Sequence, residues 1–168
     1  MRRIIILTFF ILFVTVSGQA QIERQAGIRS GYGGGLFYQV TGESGSASNG
    51  YMAILGFRKN GVQLTGLRII YETSIDELSP DLYLSWGYGL HAGFIVTDRL
   101  RFFGERYYFE TERFCPVFGI DGWGSLEYRF RSVPLAISLN IKPMAEITIP
   151  TFFSINPIDL GLSIAYTF

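Results

Sequence analysis

Hydrophobic and polar residues alternate with a period of two along much of this chain, and the last ten residues show the pattern most clearly. The large apolar residues share one face of the predicted strand: Leu160, Leu162, Ile164, Tyr166 and Phe168. The opposite face carries small or polar residues: Asp159, Gly161, Ser163, Ala165 and Thr167. Successive side chains of a β-strand point to opposite faces, so this segment is predicted to be a strand with one apolar side. A closing strand that ends on an aromatic residue is typical of a membrane barrel, where the ring lies at the membrane–water boundary.

Turn signals divide the chain into eight predicted strands. They span about residues 27–40, 51–58, 62–72, 82–96, 100–109, 118–130, 135–146 and 159–168, with Gly33-Gly34-Gly35 inside the first. Asn60-Gly61 predicts a hairpin turn with positive φ. The links after the first, third, fifth and seventh strands are about six to eleven residues long, and the others have three or four. This alternation predicts long extracellular loops, short periplasmic turns, and both termini on the short-turn side.

Which face points outward separates two classes of protein. A soluble lipocalin-like calyx or sandwich would enclose the apolar set and expose the polar set to water. The polar set is mostly Gly, Ser and Ala, the first strand lacks a Gly-x-Trp pattern, and no helical segment follows the strands. With the apolar set outward, aromatic residues can form interfacial girdles: Trp86, Tyr88, Tyr128, Phe130, Tyr166 and Phe168. The sequence therefore predicts an all-β, eight-stranded antiparallel up-and-down transmembrane β-barrel, with a secreted soluble binding barrel as an alternative.

The first twenty residues predict a cleaved signal peptide. Arg2 and Arg3 precede the apolar run 4–16, and Ser17 to Ala20 supply small residues for cleavage after Ala20. The apolar run is too short to span a membrane as a helix. A lipoprotein is not indicated, because there is no cysteine near the cleavage point. We therefore expect residues 1–20 to be the leader, residues 21–168 to be the barrel domain, and the bacterial outer membrane to be its location.

Composition agrees with membrane strands and excludes other classes. The chain is 48% hydrophobic and 16% aromatic, yet no segment after the leader is predicted to be a membrane helix. Without the leader the net charge is −2, which does not suit a nucleic-acid binder. Cys115 is the only cysteine, so it is expected to be an unpaired loop thiol.

Several motifs occur in an order that resembles a known family. They are Gly56-Phe57-Arg58, Val62-Gln63-Leu64-Thr65-Gly66-Leu67, Gly87-Tyr88-Gly89-x-His91-x-Gly93, Phe118-Gly119-Ile120-Asp121-Gly122 with Leu126-Glu127-Tyr128, and Lys142-Pro143. Together they resemble the small porin-like outer-membrane barrels of Bacteroidota, from about Tyr51 onward. The resemblance implies the fold and location but little about activity. Arg68-Ile69 stands where the family pattern has a Tyr-Glu pair, so one interior carboxylate is expected to be missing.

Charged residues on the polar faces predict the contents of the barrel. The interior polar network is predicted to contain Arg29, Arg58, His91, Asp121, Glu127, Arg129 and Lys142, joined by Glu146 if it faces inward. An eight-stranded barrel is just wide enough for side chains to fill, and buried charges are costly unless paired. The favoured interpretation is an ion-paired plug with a structural or surface-interaction role. A narrow pore for small solutes is the alternative.

No catalytic, cofactor or metal site is predicted. The single histidine, His91, has Gly89 and Gly93 as same-face neighbours, and one His with one Cys makes no ligand cluster. The expected partners are outer-membrane lipid and the outer-membrane assembly machinery, which would read Tyr166 and Phe168 as a C-terminal insertion signal. The extracellular loops are the expected place for a surface ligand. Six apolar residues there are expected either to dip into the membrane interface or to form a contact site: Tyr107, Tyr108, Phe109, Phe152, Phe153 and Ile155.

Overall fold

Ten antiparallel strands form the wall of a closed barrel in the computed structural model. The structure describes residues 22–32, 34–44, 47–72, 79, 81–102, 105–149 and 152–168. The predicted leader therefore lies outside the described residues. The strands are β1 (Ile22–Arg29), β2 (Gly35–Ser44), β3 (Ala47–Arg58), β4 (Gly61–Glu72), β5 (Leu82–Phe102), β6 (Glu105–Arg129), β7 (Leu135–Ile141), β8 (Met144–Thr148), β9 (Phe152–Asn156) and β10 (Leu160–Thr167).

These ten strands occupy eight positions around the ring. Strands β7 and β8 follow one another along β6, and β9 and β10 follow one another along β8 and β7. The break between β7 and β8 falls at Lys142-Pro143, where the Pro143 carbonyl still accepts a 2.8 Å hydrogen bond from the Gly122 N–H. Pairing of β1 with β10 closes the ring. The predicted all-β, eight-stranded, antiparallel up-and-down barrel is confirmed.

The strands are tilted relative to the barrel axis. The row of paired residues that leaves β1 at Gly27 passes through Phe37 and Ile54 and arrives in β9 at Ser154. The partner of Gly27 across the seam is instead Ala165 in β10. This stagger after one circuit is what closing a sheet into a barrel requires.

The predicted first strand, 27–40, is wrong. The structure has two strands here, β1 and β2, joined by a turn at residues 30–34. Gly31 adopts φ 140°, a conformation that L side chains rarely reach, so the chain reverses here instead of continuing. The predicted hairpin between β3 and β4 is present, and Asn60 has the predicted positive φ, 61°. Its two turn residues are Lys59 and Asn60, because Gly61 already pairs with Arg58 as the first residue of β4.

The predicted fifth strand, 100–109, is also not a separate strand of the ring. Strand β5 runs from Leu82 to Phe102 and β6 from Glu105 to Arg129, and the two pair as one long ribbon. The predicted turn at 97–99 is only a register irregularity between Thr97 and Arg99. The predicted loop at 111–116 lies within β6, so Cys115 is a buried strand residue and not a loop thiol. The extra strand and the missing strand compensate, so the count of eight holds.

These corrections overturn the predicted alternation of loop lengths. We call the end of the barrel that holds Ile22 and Phe168 the terminal end, and the opposite end the distal end. At the terminal end the chain passes from β2 to β3, from β4 to β5 and from β6 to β7, and at the distal end from β1 to β2, from β3 to β4, from β5 to β6 and from β8 to β9. The longest of these connections along the sequence, between β4 and β5, therefore joins strand ends that lie beside the termini. At the distal end it is the long ribbon of β5 and β6 that extends beyond the other strands. Strand β9 contacts β5.

Apolar side chains point outward along the described strands, and most polar side chains point inward. In β5, Trp86, Tyr88 and Leu90 are exposed, whereas Ser85 and His91 are buried. Strand β7 alternates in the same sense, with Ile137 and Leu139 exposed and Ser138 and Asn140 buried. This is the reverse of what the soluble calyx requires. None of the described residues forms a helix long and apolar enough to cross a membrane.

Candidate functional site inside the barrel

Seven polar residues were predicted to face the barrel interior, and the structure places all seven side chains inside the wall. Arg29 and Arg58 end β1 and β3, His91 is central in β5, Asp121, Glu127 and Arg129 lie along β6, and Lys142 separates β7 from β8. Their parity within each strand sets the direction, because every second residue points inward. Within the described part of the chain, their ion pairs and hydrogen bonds fall into three groups.

The first group is a row of alternating charges, which we call the distal ion-pair chain. Lys142 Nζ donates to Asp121 Oδ1 at 2.9 Å, and Asp121 Oδ2 lies 2.7 Å from His91 Nδ1. Glu146 Oε2 is 3.5 Å from His91 Nε2 and accepts a 2.7 Å hydrogen bond from Arg58 Nη2. Each cation contacts a carboxylate and each carboxylate contacts two basic groups, so the row is locally neutralised although it is largely shielded from water.

His91 is fixed by both its partner and its packing. Its Nδ1 faces the Asp121 carboxylate, and its Nε2 has no hydrogen-bond partner among the described residues. The ring packs on Gly119, where an added Cβ would overlap the Ala145 carbonyl oxygen and lie 2.7 Å from His91 Nε2. Glycine is therefore required at this inward position of β6 by the close approach of both the backbone of β8 and the His91 ring.

The second group surrounds Arg29. Its Nη1 pairs with Asp159 Oδ2 at 3.0 Å, and its Nε donates to Asn140 Oδ1 at 2.6 Å. Asn140 Nδ2 then donates to Ser163 Oγ at 2.7 Å, and the guanidinium carbon lies 5.6 Å from the Trp123 ring centroid. These contacts tie β1 to β7 and β10 across the seam that closes the barrel.

The third group lies at the terminal end. Glu127 Oε1 accepts hydrogen bonds from Gln25 Nε2 at 3.0 Å and from Arg129 Nε at 2.5 Å. Arg129 also pairs with Glu23 and lies over the Tyr83 ring, with 4.3 Å from the guanidinium carbon to the centroid. The group links β1 to β6 through the lumen.

The lumen also contains a cluster of buried apolar side chains, which we call the apolar layer, so the interior is not uniformly polar. Its buried members are Phe37, Met52, Ile54, Leu67, Ile69, Trp123, Ala136 and Ala165. Ile69 is the most deeply buried side chain of this set. Beside this layer, within the described residues, there is a cavity of about 10 Å³, which is roughly the space of one water molecule. A cavity of this size cannot by itself carry water through the lumen.

Five polar residues of these groups were missed from the sequence: Glu23, Gln25, Asn140, Asp159 and Ser163. Asn140 and Asp159 already lie on predicted polar faces, so their parity was a usable signal. Glu23 and Gln25 were missed because the first strand was predicted to begin at about residue 27. Trp123 and Leu67 fell on polar faces in the sequence, and the structure buries both side chains.

The two residues of the predicted insertion signal lie on the outer surface at the terminal end. The rings of Tyr166 and Phe168 stack with centroids 6.1 Å apart, and Tyr38 lies 6.4 Å from Phe168. Two backbone hydrogen bonds join Phe168 to Arg24. Of the apolar residues predicted at the extracellular side, Phe153 and Ile155 are exposed in β9 at the distal end. The side chains of Tyr107, Tyr108, Phe109 and Phe152 lie outside the described part.

The interior offers little chemistry beyond charge pairing. Among the described residues, no hydroxyl or thiol group hydrogen-bonds to His91, and no three His, Cys, Asp or Glu side chains are grouped as metal ligands. The nearest charged groups to His91 are carboxylates, which suit a structural ion-pair row.

Comparison with known proteins identifies the fold. The chain is similar to an outer-membrane barrel domain. The crystal structure of the N-terminal β-barrel domain of Pseudomonas aeruginosa OprF superposes with a TM-score of 0.55 at 10% sequence identity, and the match covers 89% of this chain and 100% of that domain. No protein-family model and no curated protein sequence matches the chain. At this identity the OprF likeness shows the architecture alone.

Proposed function

We propose that this protein is an integral outer-membrane β-barrel with a closed, side-chain-filled interior and a structural or surface-interaction role. The observation that carries the proposal is the inverted distribution of side chains. Leu90 is 66% exposed and Leu160 is 60% exposed, whereas Asp121 and Lys142 are only 4% and 6% exposed. An exterior band of this kind favours lipid as the surrounding solvent, because lipid removes the cost of exposing apolar surface to water.

The closed interior supports a plug more than a pore. The distal ion-pair chain and the apolar layer both lie within the lumen, and the cavity beside that layer has room for about one water molecule. Ions crossing this interior would have to displace paired charges and pass buried apolar side chains, and both steps are unfavourable. A narrow solute pore is therefore the alternative that the conductance experiment below tests.

The finer parts of the proposal come from the sequence. We place the protein in the bacterial outer membrane after removal of residues 1–20, among the small porin-like barrels of Bacteroidota. Its partners would be membrane lipid and the assembly machinery that reads Tyr166 and Phe168. The distal ribbon of β5 and β6 is where a surface ligand would bind. No nucleic-acid binding, cofactor or catalytic activity forms part of the proposal.

Membrane insertion is tested by expression with the leader intact, followed by cell fractionation. The chain should appear in the outer-membrane fraction, shortened at its N-terminus, and should migrate differently on gels before and after heating. A monomer that stays soluble without detergent would contradict the proposal and favour the secreted binding barrel.

Conductance separates the plug from the pore. The barrel reconstituted in planar bilayers should give ion currents close to those of the empty membrane. The Asp121→Ala substitution should lower the stability of the barrel against unfolding and should hardly change the ion current through it. The pore would be established instead by regular channel steps from the unaltered protein. The Asp121 variant would then show a changed ion selectivity and an unchanged unfolding midpoint.

A further inference from the structure

A furrow crosses the outer surface of the barrel, and no role has been assigned to it. It encloses about 1270 Å³ and follows the hydrogen-bonding direction between two neighbouring rows of outward-facing side chains. Small residues lower the wall along it, including Ala53, Gly66, Gly122 and Ala145. An added Cβ at Gly66 would meet no atom within 4 Å, so the furrow is open at this point.

Arg68 gives the furrow a charge. It is exposed in β4 between Leu67 and Ile69, whose side chains point into the barrel, so the guanidinium is on the outer face. Among the described residues that line the furrow, the other charged residue is the buried Asp121, which is paired with Lys142 and His91. Within the described part of the chain Arg68 has no carboxylate partner. Placing an arginine side chain against lipid costs free energy, and this cost is smaller near the membrane–water interface than at the bilayer centre. An anion that pairs with the guanidinium reduces the cost further.

The neighbours of Arg68 indicate the depth of its guanidinium in the membrane. Its cross-strand neighbours are Tyr51 in β3 and Tyr88 in β5, and all three point outward. Trp86 is exposed on the same face of β5. Aromatic residues of this kind lie at the headgroup level of a membrane barrel, which is where lipid phosphates lie. The furrow therefore combines a cation at headgroup depth with an apolar channel beside it.

We propose that the furrow binds an anionic phospholipid, whose phosphate pairs with Arg68 while an acyl chain lies over Gly66 and Ala53. Guanidinium and phosphate form short, charge-assisted hydrogen bonds, and Arg is suited to bidentate contacts with phosphate. Contact with the acyl chain would cover the apolar surface of the furrow, which adds to the binding free energy. This inference rests on the proposed membrane location, because the furrow meets phospholipid only if the outer face is embedded.

Native mass spectrometry of the barrel in mild detergent tests the proposal. The probes are phosphatidylglycerol and phosphatidylcholine with identical acyl chains. The unaltered barrel should retain one phosphatidylglycerol about tenfold more strongly than phosphatidylcholine, because both headgroups carry a phosphate but the choline cation of phosphatidylcholine repels Arg68 and competes with it for that phosphate. Arg68→Gln should remove this preference, Arg68→Lys should keep part of it, and Gly66→Leu should weaken retention of both lipids by filling the furrow.

Arg24→Gln is the matched control. Arg24 lies in the same row of paired positions, two strands from Tyr51, but outside the furrow. Its substitution should leave the preference unchanged. Equal retention of the two lipids by the unaltered barrel, or an unchanged preference in Arg68→Gln, would overturn the proposal. A lipid-free dimer that Gly66→Leu abolishes would overturn it in favour of a second copy of the chain as the occupant.

Failure of the lipid site is distinguishable from failure of the proposed function. A barrel that inserts into membranes and shows heat-dependent gel mobility, but has no headgroup preference, contradicts only the lipid site. A chain that remains soluble and monomeric without detergent contradicts the membrane location, and the furrow site with it.

Discussion

Removing the carboxylate of Asp121 should destabilise the barrel strongly. Asp121 Oδ1 accepts the hydrogen bond from Lys142 Nζ at 2.9 Å, and its Oδ2 faces His91 Nδ1 at 2.7 Å. In Asp121→Ala the remaining polar contact of Lys142 is Met144 Sδ, a weak acceptor 3.8 Å away. The variant therefore leaves a buried cation without an anionic partner.

The expected size of the effect follows from that geometry. Breaking a buried ion pair by removing one partner costs about 3–5 kcal/mol. If the urea dependence is about 2 kcal/mol per molar, the unfolding midpoint should fall by roughly 1.5–2.5 M. Tryptophan fluorescence can follow unfolding in lipid vesicles, because Trp123 is inside the barrel and Trp86 is outside.

Two control variants separate charge pairing from general damage. Asp121→Ala combined with Lys142→Met should recover much of the lost stability, because the double variant leaves neither charge buried and unpaired. Asp81→Ala removes the partner of Arg131 in an exposed ion pair of 2.6 Å at the terminal end, and the midpoint should hardly change. An unaltered midpoint in Asp121→Ala, or no recovery in the double variant, would refute the pairing argument.

Two further predictions concern the seam and a close contact. Deletion of Phe168 removes both of its backbone hydrogen bonds to Arg24, so outer-membrane levels should fall and periplasmic protein should rise in fractionated cells; normal levels of folded, embedded protein would count against the proposed insertion signal. Gly119→Ala should lower the urea midpoint because the new methyl group would overlap the Ala145 carbonyl oxygen and the His91 ring, whereas Gly66→Ala, which has open space, should not. Equal midpoints for the two alanine variants would contradict the close packing.

Strand faces were predictable from the sequence because side-chain parity depends only on local backbone geometry. The alternation in β5, β7 and β10 assigned inside and outside before any pairing was known. Strand boundaries were harder to predict. The turn at Gly31 was missed because residues on both sides of it also alternate. The false turn near Asp98 was predicted from ordinary turn residues that lie in fact at a register irregularity of a continuous strand.

The contents of the interior were predictable as a set of residues but not as pairs. Parity identified Arg29 and Lys142 as inward, since each lies on a polar face. Their partners depend on register and on closure of the barrel. Asp159 meets Arg29 only because β10 pairs with β7 and with β1 in the registers observed. The apolar layer was not predicted, because Ile69 and Trp123 fell on faces that appeared polar.

The seam between β1 and β10 also has a kinetic consequence. Ser30 and Leu162 exchange hydrogen bonds across 132 residues of chain, whereas the β3–β4 hairpin closes over two residues. By loop-closure entropy alone, a contact this distant costs about 4 kcal/mol more to form than the hairpin does. The hairpins should therefore form first and the seam last, so that β1 and β10 are the two free edges of the final folding intermediate. Those edges are where an unfinished barrel would pair with another chain.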